Sequence, residues 1–81
     1  KWTVNNEQEM IFKKFHFKNF KEAIKFTNII GEIAESEGHH PDISVGWGYS
    51  IIMIHTHAIK GLSVNDFVLA SKIDKLDINT L

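Results

Sequence analysis

Four of the five histidines in this chain fall between positions 39 and 57: the pair His39-His40, followed at once by Pro41, and the cluster His55-Thr56-His57. Histidine is the side chain whose ordinary pKa lies near neutrality, so imidazoles that converge on one pocket supply a proton donor and a proton acceptor together. That concentration points to a site for general acid/base work on a small molecule. Two other readings use the same residues. His55 and His57 are two apart on an expected strand and share a face, which suits two ligands of a zinc or copper ion; adjacent residues such as His39 and His40 seldom both point at one ion. The plainest reading places them as satisfied polar groups at loop and strand ends. Glu35 lies one helical turn before His39, where its carboxylate is placed to hold an imidazole tautomer or to be a solvated helix charge.

The elements that carry these residues are legible from periodicity. Met10 to Phe17 alternates as a half-buried strand, with Ile11, Phe15 and Phe17 on one parity and Phe12, Lys14 and His16 on the other, and Trp2 to Val4 is its hairpin partner. From Asn19 the period becomes helical: Phe20, Ala23, Ile24 and Thr27 share one face, and Phe26, Ile29, Ile30 and Ile33 an adjacent one. The stripe is broader than one sheet would bury, which points to a subunit interface on this helix. Asn19 with Glu22 has capping-box spacing, and Gly38 suits the left-handed position just past a helix end. His39 and His40 therefore sit at a helix C-terminus, whose partial negative charge favours imidazolium. Ile43 to Val45 reads as a short edge strand, Gly46-Trp47-Gly48 as a turn, and Tyr49 to Thr56 as a central β-branched strand. Ser63 to Asp66 repeats the capping pattern and opens a helix to about Lys75, with Val64, Phe67, Val68 and Ser71 on one face. In this view Asp66 is first of all a capping residue. The order β-β-α-β-β-α implies an α+β domain, a four-stranded antiparallel sheet with helices packed on one face.

Composition limits what the site can be. The 81 residues form one domain, 1–81, small enough for oligomerisation to be a natural source of added stability. There is no cysteine, hence no disulfide, thiolate metal site or cysteine nucleophile. Nine basic and ten acidic residues leave no basic block to track a phosphate backbone, so direct binding of nucleic acid is not expected. No apolar run is long enough to span a membrane and no signal-peptide pattern is present, so a cytoplasmic location is expected.

Phe15-His16-Phe17, Glu35 with Gly38-His39-His40-Pro41, Thr56-His57, and Gly61-Leu62-Ser63 with Asp66 resemble the pattern of the pterin-4a-carbinolamine dehydratases. The resemblance runs from about Trp2 to Ile73, with the elements in matching order and spacing. It departs at the start: family members usually begin with an extra helix before the tryptophan-containing first strand, and this sequence starts at Lys1-Trp2. The resemblance implies a dehydratase acting on 4a-hydroxytetrahydropterin, a pterin substrate with no metal or organic cofactor, in a homodimer or homotetramer. It also implies that His39, His40 and His57 are the active-site histidines. We expect His39 and His57 to transfer protons at the two sides of the leaving hydroxyl, and His40 to orient the pterin. Glu35, Pro41, Trp47, His55 and Asp66 are expected to support the site. Trp47 and Tyr49 fit either the core or the pocket wall, where a flat pterin would stack. Some members of the family also serve as dimerisation partners of a transcription factor, which implies a protein partner as a second kind of role.

Overall fold

Strand pairing begins at a short hairpin. In the computed structural model, which describes residues 2–5, 7, 9–55 and 64–76, β1 (Thr3–Asn5) pairs antiparallel with β2 (Met10–His16). Helix α1 (Phe20–Glu37) follows, then β3 (Asp42–Gly46), β4 (Tyr49–His55) and helix α2 (Val64–Asp74). The sheet is antiparallel throughout, in the order β1-β2-β4-β3. The expected β-β-α-β-β-α architecture is the observed one, with β3 on an edge and β2 and β4 in the centre.

Alternation decides which face is covered. Ile11 and Phe15 of β2 and Ile52 and Ile54 of β4 are buried beneath Phe26 and Ile30 of α1 and Leu69, Ala70 and Ile73 of α2. Phe26 stacks obliquely on Phe15 and Phe17, with ring centroids 4.7 and 5.0 Å away. Phe12, Tyr49, Ile51 and Met53 lie half-buried on the opposite face, which no described helix covers. The buried Ser50 hydroxyl meets Thr27 Oγ1 at 2.9 Å, and Thr27 also donates to the Ala23 carbonyl. Sheet and helix are thus joined by a satisfied polar contact within an apolar layer.

Both ends of α1 follow from their capping residues. Asn19 is extended and its side-chain oxygen accepts from the Glu22 amide at 2.8 Å. At the other end Gly38 adopts φ 65°, its amide donates to the Glu35 carbonyl, and the His39 amide donates to the Ala34 carbonyl. This is a Schellman termination, and it fixes the backbone of His39 directly to the helix.

The two helices differ in how much apolar surface they leave open. Along α1 the surplus apolar residues Ile24, Ile29 and Ile33 are half-buried and Ile33 packs on the core, leaving Phe20 as the exposed large side chain. On α2, Val64, Phe67 and Val68 share a face with Ser71 as expected, and that face points to solvent. The sheet has room for one face of an 11-residue helix, and Asp66, Leu69, Ala70 and Ile73 occupy it.

Candidate functional site

His39 and Asp66 meet although 27 residues separate them. Nε2 of His39 lies 2.6 Å from Oδ1 of Asp66, whose side chain is completely buried, while 24 % of the imidazole is accessible. The Schellman turn holds one partner and the first turn of α2 the other. A carboxylate only accepts, so Nε2 carries the proton it donates. Nδ1 is thereby the nitrogen that can take up a proton, and among the described residues no partner is recorded for it. The Ser63 partner of the expected cap lies outside the described residues; the Asp66 carboxylate itself is directed to His39, so capping is not the whole of its work.

His40, one residue on, points elsewhere. Its Nε2 is 2.8 Å from Oε1 of Glu35, and this pair is open to solvent, the imidazole 64 % exposed. Glu35 therefore holds an imidazole, but that of His40 and not of His39. The Schellman turn is the physical reason: it swings the chain away from the helix axis and brings residue 40 back beside the last turn. Glu35 and Glu37 place two carboxylates at the negative end of α1, an unfavourable position alone, and each takes a partner from outside the helix. For Glu37 that partner is the Lys72 ammonium on α2.

His55 forms a third histidine–carboxylate pair. Its Nδ1 is 3.2 Å from Oδ2 of Asp42, the first residue of β3, and it stands opposite Met10 at the end of β4. The register Asp42↔Met53 carries this histidine toward the Pro41 segment, so His55 is brought near the pair at 39 and 40. Pro41 is half-buried between His40 and the start of β3. His57, with Thr56 and Gly61-Leu62-Ser63, lies outside the described residues.

Of the two readings offered for Trp47, the core one does not hold. Trp47 is 72 % exposed in the β3–β4 turn, not in the core. Four residues of extended chain separate that turn from the start of β3, roughly 13 Å at 3.3 Å per residue, so the structure does not bring it together with His39. Gly46 and Gly48 explain the position: a Cβ at Gly46 would strike the Tyr49 ring at 2.6 Å, and Gly48 has φ 79°. The tight turn they permit tips the intervening residue outward. Tyr49 is half-buried on the uncovered face of the sheet, 5.0 Å beneath the Lys14 ammonium.

No group of three or more histidine, aspartate or glutamate side chains among the described residues is arranged to hold a metal ion. Two residues with a bearing on the site were not singled out by sequence: Asp42, which partners His55, and Lys72, which partners Glu37. Both are ordinary charges on strand and helix, and only the fold makes them neighbours.

A profile of the pterin 4 alpha carbinolamine dehydratase family matches residues 1–76. The chain belongs to that family. Among its relatives is a protein of Alkaliphilus metalliredigens, 53 % identical over 74 residues, covering 91 % of this chain and 66 % of the relative. One from Halorhodospira halophila is 48 % identical over 75 residues, covering 93 % and 69 %. Both are provisionally named pterin-4-alpha-carbinolamine dehydratase. The chain thus spans about two thirds of the length of the curated relatives it matches. A crystal structure from Brucella melitensis, described as a transcriptional coactivator/pterin dehydratase, superposes with a TM-score of 0.81 at 27 % identity, over 90 % of this chain and 78 % of the other. A pterin dehydratase-like RuBisCO assembly factor of the alpha-carboxysome shares the fold, with a TM-score of 0.77 at 24 % identity, over 90 % and 84 %.

Proposed function

We propose that this member of the dehydratase family converts 4a-hydroxytetrahydropterin to quinonoid dihydropterin and water by histidine acid/base catalysis, in tetrahydrobiopterin recycling. The observation that carries this reading is the His39–Asp66 contact, a buried carboxylate holding one ring nitrogen of a partly accessible imidazole. In the reaction the bond from carbon 4a to the hydroxyl oxygen breaks as that oxygen gains a proton and leaves as water. The neighbouring ring nitrogen loses its proton, and the electron pair of that N–H bond forms the C=N double bond. One base and one acid suffice, each contributing on the order of 10² to 10⁴ in rate. Nδ1 of His39 would take or give one of these protons, stabilised as imidazolium by Asp66. His57 is proposed as the second group and His40 as the one that orients the pterin, with Pro41, His55 and Glu35 bordering the site. Trp47 would reach the substrate only from another chain of an oligomer. No cofactor is required.

The test is the decay of freshly generated 4a-hydroxytetrahydropterin, followed by ultraviolet absorbance, with this protein and with a His39→Ala, His57→Ala double variant. Acceleration that vanishes in the variant upholds the reading. A folded protein that leaves the spontaneous rate unchanged refutes it.

A second reading, a non-catalytic interaction module acting as a dimerisation or coactivator partner, is favoured by the exposed stripe of Val64, Phe67 and Val68. A protein partner whose capture survives loss of His39, His40 and His57 would support it. A cytoplasmic homodimer or homotetramer is the proposed working form, to be checked by sedimentation. No helix among the described residues is long and apolar enough to cross a membrane.

A further inference from the structure

The His39–Asp66 contact depends on two elements, the end of α1 and the start of α2, being held at a fixed offset. Apolar packing alone does not set that offset. Leu69, Ala70 and Ile73 bury the inner face of α2, but such contacts are non-directional and fix how deep the helix lies better than where it sits along or about its own axis. Charge-assisted hydrogen bonds are directional, and besides Asp66 α2 makes such contacts through Asp74 and Lys72. At its C-terminal end Asp74 accepts from the Trp2 indole N–H at 3.0 Å and from the Lys13 ammonium at 3.0 Å, an anchor toward β1 and β2. Two residues earlier Lys72 reaches the Glu37 carboxylate on α1. Glu37 immediately precedes the left-handed Gly38, and the amides of Gly38 and His39 are both bonded back to the helix end, so a displacement of Glu37 passes through one residue to His39. The two rungs, Glu37–Lys72 and His39–Asp66, join the same pair of elements.

We propose that Lys72 and Glu37 are positioning residues: their ion pair sets the alignment of α2 against the end of α1 that holds Asp66 at hydrogen-bonding distance from His39. The catalytic consequence rests on the dehydratase reading; the effect on the imidazole does not. Breaking the pair lets the first turn of α2 shift, lengthens the Asp66 contact and frees the imidazole to populate the other tautomer. A 2.6 Å contact is sensitive to such shifts, because hydrogen bonds weaken steeply with misalignment. A misplacement of 1 Å at a reacting group can cost about 100-fold in rate. Both members of the pair are partly exposed, so salt should loosen it as well.

The experiment compares the unsubstituted protein with Lys72→Met, Glu37→Gln and the charge swap Glu37→Lys/Lys72→Glu. Two readouts are taken: the ¹⁵N shifts of the His39 ring at alkaline pH, which report its tautomer, and the dehydration rate. The expected result is a His39 ring shift toward mixed tautomers in both single variants and a fall of about tenfold in kcat with KM unchanged. The swap restores both signals. Raising salt to about 1 M, where the screening length is about 3 Å, should move the unsubstituted protein toward Lys72→Met and leave Lys72→Met unchanged. Folded single variants with an unaltered His39 ring overturn the proposal, and so does a loss that the swap fails to restore. Should the unsubstituted protein not accelerate dehydration, the catalytic reading falls, and the ring shifts still decide the positioning claim.

Discussion

His39 and Asp66 are joined end-on, Nε2 to Oδ1 at 2.6 Å, with the carboxylate wholly buried and the imidazole reaching the surface. In the proposed reaction the buried carboxylate would stay in place while the accessible imidazole meets the substrate. Replacing the carboxylate by an amide keeps the shape but removes the charge that orients and stabilises imidazolium. Asp66→Asn should lower kcat by about 10² to 10⁴ in a protein whose circular dichroism is unchanged. A folded Asp66→Asn protein with the full rate would remove Asp66 from the mechanism.

The Glu35–His40 pair should behave differently because water competes for it. Exposed ion pairs contribute about 0 to 1 kcal/mol, so Glu35→Gln is expected to leave the urea midpoint nearly unchanged. If His40 orients the pterin, the effect of this substitution appears in KM and not in kcat. A large loss of kcat would give Glu35 a more direct part than its exposure suggests.

Glycine at 38 and glycine at 31 are expected to respond in opposite directions. Neither has an atom within 4 Å of a built Cβ, so crowding plays no part. Gly38 has φ 65°, where a side chain costs roughly 1–2 kcal/mol. Gly31 is exposed within α1, where alanine is favoured by roughly 0.5–1 kcal/mol. Thermal unfolding of Gly38→Ala and Gly31→Ala checks both signs, and Gly38→Ala should also slow dehydration by disturbing the turn that carries His39.

The orientation of α2 is open to a direct test at neighbouring positions. Phe67 is 51 % exposed and Leu69 fully buried. Phe67→Ser should change unfolding free energy by less than about 0.5 kcal/mol in the monomer, whereas Leu69→Ala should cost about 2–5 kcal/mol. Equal effects in denaturant titrations would mean that the helix is rotated from the orientation described.

Most of the architecture was legible because it rests on local rules. Alternation in Met10–His16 and Tyr49–His55 gives strands whose inward residues are the observed core, and Asn19 and Gly38 terminate α1 where their conformational preferences predict. The inward face of α2 was not legible in the same way. Val64, Phe67 and Val68 are as apolar as Leu69, Ala70 and Ile73, and hydrophobic periodicity alone does not choose between two apolar faces of one short helix. Trp47 illustrates the same limit: its composition suits a core, and the two flanking glycines turn it outward.

The sequence by itself determined the element order, the helix ends and the family, because each is written in residues close together in the chain or in motifs of fixed spacing. Only the tertiary structure decided which carboxylate serves which histidine: Asp66 for His39, Glu35 for His40 and Asp42 for His55. The reason is geometric. A hydrogen bond is settled by positions within a few tenths of an ångström, and partners separated by 27 residues, as His39 and Asp66 are, acquire those positions only when helix and sheet have packed.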